Sequence, residues 1–184
     1  MNQTIDRIQY AWQLAAYYHE GQRYYTPTEG ETLPYLTHLG AVTLEAQAAL
    51  QEDLDLDADL TLLCAILHDS LEDTGVSASE LEAAFGPAVL AGVSALTKDE
   101  SLPTKQTQMR DSLRRIKEQP REVAVVKLCD RIVNLAPAPA HWPADKRLAY
   151  REEASLILEE LGSASAYLKA RLERKISEYN VNGE

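Results

Sequence analysis

Long apolar runs are missing from this chain: nowhere does it approach the roughly 20 consecutive apolar residues that span a bilayer. The expectation is a soluble protein. Cysteine is scarce. Only Cys64 and Cys129 occur, both inside apolar segments, which argues against a disulfide framework. Basic charge is also short, with 18 Lys and Arg against 29 Asp and Glu and a net charge of −11 at pH 7. A molecule of that sign repels a nucleic-acid backbone or an anionic membrane. Neither is therefore expected as a partner, and an anionic ligand would need a local cationic pocket or a metal. Met1 to Tyr10 lacks the charged start and apolar run of a secretory leader, so a cytoplasmic location is expected. No internal repeat and no long linker interrupts the chain. Its 184 residues, 45% of them hydrophobic, are enough to bury one substantial core, and residues 1–184 are read as a single domain.

What is present is helix after helix. Apolar groups recur at helical spacing from Ile5 to Tyr18, Gly21 stops that helix, and Gln22 to Leu33 reads as a polar loop containing Pro27 and Gly30. Leu39, Val42, Leu44 and Ala46 carry a second helix from His38 towards Leu50. Asp57 or Asp59 can cap a third, which is apolar nearly all round from Leu60 to Leu67 and is expected to end near Gly75. Ser77-Ala-Ser-Glu80 fits a capping box, Phe85-Gly86-Pro87 punctuates, and Ala88 to Thr97 is another apolar segment. Lys105 to Gln119 is a more polar helix ended by Pro120. Glu122 to Leu135 contains Val-Ala-Val-Val, a strand by propensity alone, but its helical neighbourhood favours helix. Pro143 opens a helix to Leu161, Gly162 ends it, and Leu168, Leu172, Ile176 and Tyr179 form the apolar face of the last one. That face suits either the core or a subunit contact, so a homo-oligomer stays open.

The chemistry is concentrated where the apolar third helix meets His68-Asp69 and then Glu72-Asp73. So many ionisable groups against a core-forming segment imply a ligand, because an unpaired buried charge is costly. His68 and Glu72 are four apart, as are Asp69 and Asp73, so each pair lies along one helix face, the two faces are adjacent, and all four can line one pocket. Imidazole beside carboxylate suits a divalent cation such as Mn²⁺, Fe²⁺, Co²⁺ or Zn²⁺. His38 and Asp130 are the candidates to complete a two-His, two-Asp site. Alone, any of these histidines reads better as a hydrogen-bonded structural residue, and the alternative weakens only when they are taken jointly. His19 and His141 have no place in the set and are read as structural or surface residues. The plainest reading of Lys127 and Arg131 is that they only pair with the acidic cluster, and that of Glu52 to Asp59 is a solvated loop and cap.

His38, then His68-Asp69, then Asp130 resembles the H…HD…D pattern of the HD-domain metal-dependent phosphohydrolases. His19-Glu-Gly-Gln22, Pro34-Tyr35-Leu-Thr-His38, Leu67 to Thr74, Phe85-Gly86, Leu96-Thr97-Lys98 and Lys127 to Asn134 are similar, in that order, to the hydrolase domain of the RelA/SpoT alarmone enzymes. The resemblance runs from about Ile8 to Leu161. Its length matches a stand-alone small alarmone hydrolase, without the synthetase and regulatory domains of the long members. The resemblance implies an all-α HD-domain helical bundle that binds Mn²⁺ through His38, His68, Asp69 and Asp130. It implies that Glu72 and Asp73 orient and activate water, that Asn134 contacts the nucleotide, and that Lys98 and Arg147 meet substrate phosphates. The implied reaction releases pyrophosphate and leaves a free 3′-hydroxyl.

For Asn134 a helix C-cap, and for Lys98 and Arg147 a solvated surface position, are the competing readings. The chain departs from the family after Gln22, where an Arg-Lys pair usually helps hold guanine. Here Arg23 is followed by Tyr24-Tyr25. Tyr24 can stack on a purine, but a phenol carries neither the charge nor the donor fork of a guanidinium. The base is therefore open, between a guanosine and an adenosine alarmone. A phosphatase of another phosphorylated nucleotide or dinucleotide such as NADPH, and a non-catalytic nucleotide-binding HD module, are the other two readings.

Overall fold

A computed structural model describes residues 3–26, 28, 30–139 and 142–181. Pro27 and His141, both named above, lie outside the described residues. The architecture is helical, with α1 Gln3–Tyr18, α2 Leu36–Glu52, α3 Ala58–Leu67, α4 Ser70–Asp73, α5 Ala78–Phe85, α6 Pro87–Leu96, α7 Lys105–Lys117, α8 Arg121–Asn134, α9 Ala144–Leu161 and α10 Ala166–Glu178. The expected polar loop contains a small antiparallel hairpin instead, β1 Arg23–Tyr25 paired with β2 Thr32–Pro34. Its register sets Tyr24 opposite Leu33, and the pleat puts Tyr24 on one face with Arg23 and Tyr25 on the other.

Helix α3 is the centre, packed by α1, α2, α6 and α8. Leu63, Cys64, Ala65, Ile66 and Leu67 are fully inaccessible, as an all-round apolar helix requires. Asp57, rather than Asp59, caps it by accepting from the Leu60 amide at 3.0 Å. Asp59 pairs with Arg7 instead. The helix does not run to Gly75. It ends at Leu67, and Asp69, at φ −99° and ψ 0°, breaks the axis before the single turn of α4. The sequence pattern concealed this break because its apolar and acidic residues continue at helical spacing across it.

The Val-Ala-Val-Val segment is helical within α8, where Val123, Val125 and Val126 are buried on all sides; burial here overrides a weak strand propensity. Gly92 of α6 lets that helix approach the centre: a Cβ at this position would meet Cys64 Sγ at 2.8 Å and Val123 Cγ2 at 3.0 Å. The capping box at Ser77 forms as its sequence implies, with Glu80 N donating to Ser77 Oγ and Ser77 N donating to Glu80 Oε2. Leu168 and Leu172 of α10, with Tyr179, join the central cluster, so that face is core. Cys64 and Cys129 are free and buried, and burial pushes the Cys64 thiol up to about 12. Among the described residues no helix is long and apolar enough to cross a membrane.

Candidate metal centre

Three helices place the central donors. The first turn of α2, opening after Tyr35, carries His38; the end of α3 carries His68; and α8 carries Asp130. All three are buried, and one ligand atom from each lies within 4.8 Å of the others. The Nε2 atoms of His38 and His68 face each other at 3.3 Å. Asp130 Oδ1 lies 3.5 Å from the first and 3.8 Å from the second. Asp69, at the break after α3, adds a carboxylate oxygen 2.9 Å from His68 Nε2 and 3.6 Å from His38 Nε2.

These side chains fit a divalent cation. Ligand bonds of roughly 2.0–2.2 Å separate neighbouring donor atoms by about 3–3.5 Å, close to the spacings seen here. His68 Nδ1 lies 2.9 Å from the Ala65 carbonyl oxygen; a hydrogen on Nδ1 leaves the Nε2 lone pair for a metal. Two imidazoles and two carboxylates make a donor set for borderline divalent ions. The electrostatics agree. Burial alone would pull the His68 imidazole down, yet Asp69 and Asp130 hold it up at about 9. Burial would raise Asp69, but His68 and His38 keep it well below the usual carboxylate range. Burial likewise opposes ionisation of Asp130, which Lys127 and then the imidazoles hold down at about 2.

Around this centre each remaining residue finds a distinct partner. Asp130 accepts Lys127 Nζ at 3.0 Å on Oδ2 and Asn134 Nδ2 on Oδ1. Asn134, the last residue of α8, thus orients Asp130. Arg131 turns away from the cluster, against expectation. It pairs with Glu153, and its guanidinium carbon lies 4.4 Å from the centre of the Tyr150 ring. Tyr35 donates to Asp69 Oδ2 at 2.5 Å, and burial and then Asp69 push its phenol far up, keeping it a donor.

Glu72 and Asp73, adjacent on the single turn of α4 and so about 100° apart, take different partners. Glu72 accepts from both the backbone N–H and the ammonium of Lys98, at 2.9 and 3.1 Å. Burial pulls Lys98 down, but Glu72 and then Asp130 raise it above the usual lysine range. Lys98 is therefore a charged, partly buried group beside the site rather than a solvated one. Asp73 sits on the exposed rim and accepts Gln22 Nε2 at 2.9 Å. Partial burial, then the Asp69 carboxylate, push Asp73 up.

Tyr24 stacks on His38, with ring centroids 5.2 Å apart and planes at 24°. Burial and Asp130 raise its phenol. It therefore covers one side of the donor cluster. Arg23, on the other hairpin face, donates to Thr32 at its hydroxyl (3.1 Å) and its carbonyl (2.7 Å), so the structure does not bring its guanidinium to the cluster. Arg147 is buried rather than solvated, and its Nε donates to the Trp142 carbonyl at 2.9 Å. His19 is buried as well; its Nδ1 lies 2.5 Å from Gln22 Oε1 and its ring stacks on Tyr35. The only sequence signal for these three was their place in segments that carry a family pattern.

The HD domain family matches residues 11–165 of this chain. The chain is 30% identical over 173 residues to the guanosine-3′,5′-bis(diphosphate) 3′-pyrophosphohydrolase MESH1 of Danio rerio, covering 91% of each protein. It is 29% identical over 165 residues to the Drosophila melanogaster protein of the same name, covering 88% of each. It is 33% identical over 153 residues to the bifunctional (p)ppGpp synthase/hydrolase SpoT of Escherichia coli, matching 80% of this chain and 20% of that one. In three dimensions it resembles a metazoan orthologue of SpoT described as hydrolysing ppGpp. The TM-score is 0.78 at 27% identity, over 95% of this chain and 96% of the other.

Proposed function

We propose that this chain, which belongs to the HD-domain family, is a metal-dependent hydrolase that removes pyrophosphate from the 3′ position of a purine alarmone nucleotide such as (p)ppGpp or (p)ppApp. The observation that carries this reading is the convergence of His38, His68 and Asp130 from α2, α3 and α8, with Asp69 beside them and two further carboxylates on the next turn. The names of the relatives supply the substrate class. His38, His68, Asp69 and Asp130 would hold the cation, and Mn²⁺ is the ion proposed. When bound, a divalent cation lowers the pKa of water and stabilises charge gathering on phosphorus oxygens.

The chain's own groups do the rest. Glu72 and Asp73, one turn beyond Asp69, orient the attacking water and accept its proton. Lys98 leaves its pairing with Glu72 to meet a substrate phosphate, which frees the Glu72 carboxylate as it neutralises charge. Asn134, anchored on Asp130, reaches the nucleotide from the end of α8. Arg147, fixed by backbone carbonyls, is a phosphate contact only if the segment before α9 rearranges. Arg23 takes part in the same way, by release from Thr32. Tyr24 stacks on the base or sugar over the metal site. The water oxygen bonds to phosphorus as the bond from phosphorus to the 3′-oxygen breaks, and the proton taken from water passes to that oxygen, so the products are pyrophosphate and a nucleotide with a free 3′-hydroxyl.

Residues 1–184 are proposed to act as one domain, an idea supported by the single continuous core. A cytoplasmic location is proposed from the free, buried cysteines, and a homo-oligomer remains part of the proposal without a face assigned to it. One observation favours a second reading. Tyr24 lies over His38 where the alarmone hydrolases carry a basic side chain, which suits a phosphatase acting on a different nucleotide or dinucleotide such as NADPH. Pyrophosphate release from guanosine and adenosine alarmones, with Mn²⁺ and then with the metal chelated, decides between them. Chelator-sensitive release from either alarmone is expected. Inactivity on both, in metal-loaded protein that turns over NADPH, would transfer the assignment to the second reading.

A further inference from the structure

His19 is buried to 3% exposure at the end of α1, yet one of its ring nitrogens, Nε2, has no hydrogen-bond partner. A phenylalanine or leucine would fill that space without burying an unsatisfied polar atom, so packing alone does not account for an imidazole there. Its other nitrogen, Nδ1, lies 2.5 Å from Gln22 Oε1. Gln22 in turn donates from Nε2 to Asp73 Oδ2 at 2.9 Å.

The chain of donors has one consistent direction. An ionised Asp73 only accepts, so Gln22 must present its NH₂ to it. The carbonyl oxygen of Gln22 then faces His19, and Nδ1 of His19 must carry the hydrogen. The imidazole thereby fixes which way round the Gln22 amide sits. The same ring stacks on Tyr35, with centroids 5.1 Å apart and planes at 17°, and Tyr35 donates to Asp69. One side chain therefore stands behind two carboxylates, one at each end of α4.

The geometry points to His19 as a positioning residue with two separable arms: through Gln22 it orients Asp73, and through Tyr35 it orients Asp69. This rests on the hydrolase reading above, in which Asp69 holds the metal and Asp73 handles the water. Partners that orient metal ligands and catalytic carboxylates typically matter by ~10- to 100-fold in affinity or activity. The two arms predict opposite defects.

His19→Phe keeps a ring on Tyr35 and removes the donor to Gln22. It is expected to retain its metal and to lose kcat by ~10- to 100-fold, with KM little changed. His19→Asn keeps a donor near the Nδ1 position and loses the ring. It is expected to keep kcat per bound metal and to bind metal more weakly by a similar ~10- to 100-fold factor. Metal content by elemental analysis, steady-state kinetics and thermal melting are read on both full-length variants. A wild-type kcat and metal affinity in both would overturn the proposal. So would equal loss of all three properties in both, the mark of a purely structural residue. A nitrogen-15 imidazole spectrum gives a readout independent of turnover: the His19 Nδ1–H signal should be present at neutral pH in the wild type and move in Gln22→Leu. Its absence in the wild type would overturn the Asp73 arm even if the enzyme is active. A wild type inactive on every alarmone, with that signal in place, would instead count against the hydrolase reading alone.

Discussion

The helical half of the site and its rim hold their functional side chains by different physics. His38, His68 and Asp130 leave helices α2, α3 and α8, whose buried faces are packed on neighbouring helices, so their positions follow from close packing. At the rim, Asp73, Glu72 and Tyr24 stand on one turn of helix and a three-residue strand. Polar links place them, from Gln22 to Asp73 and Lys98 to Glu72, together with one stack, Tyr24 on His38. Buried positions should therefore exchange metal and stability when altered, whereas rim positions should exchange rate and selectivity.

The strongest break of this comparison is Asp130→Ala. It removes a proposed ligand and leaves Lys127, paired with Asp130 at 3.0 Å, as a buried charge without its partner, a loss of roughly 3–5 kcal/mol. Metal content and turnover should fall to background, with a large drop in Tm. Retained metal with normal melting would remove Asp130 from the buried group. Glu72→Gln tests the rim. It should keep the metal and the fold and lose rate by roughly 10²- to 10⁴-fold, measured as pyrophosphate release per bound metal. Full activity would end its assignment.

Gly92→Ala is the buried control away from the chemistry. Its added methyl meets Cys64 and Val123 at 2.8 and 3.0 Å, so overpacking should cost about 1–3 kcal/mol. Thermal melting should show that loss while kcat per bound metal stays near the wild type. A matching fall in kcat would mean that packing and chemistry are not separable in this fold. Smallest of all, Tyr24→Arg should leave melting almost unaltered. It should shift the ratio of guanosine to adenosine turnover by roughly tenfold, about the worth of one hydrogen bond to a charged group. An unaltered ratio would place base selection off the hairpin.

How much of this was legible depends on the range of the interactions involved. The helical class and the cap at Ser77 follow from local spacing and local chemistry, whereas the choice of Asp57 over Asp59 and the helix through Val-Ala-Val-Val, against its local strand propensity, depend on the surrounding helices. The break at Asp69 is hidden because the pattern runs through it unaltered, and only the backbone, at φ −99° and ψ 0°, shows it. The hairpin was hidden for another reason. Three-residue strands are too short to display alternation, and the polar composition of Gln22 to Leu33 reads as loop. For Arg147 composition does not separate a phosphate contact from a solvated position, and it is blind to the backbone carbonyl of Trp142 that the buried guanidinium meets. Residue type gives His19 no ligand partner, and its contacts with Gln22 and Tyr35 depend on where the fold places its ring.

The sequence by itself determined the helical class, the donor types and their order along the chain. Those properties depend on residue identity and on spacings of a few positions. Only the tertiary structure decided that Asp130 meets His38 and His68, that Glu72 and Asp73 take different partners, and that His19 stands behind α4. The physical reason is that hydrogen bonds, stacks and ligand geometry act over a few ångströms in space. The folded core, rather than proximity along the chain, brings these distant residues within that range.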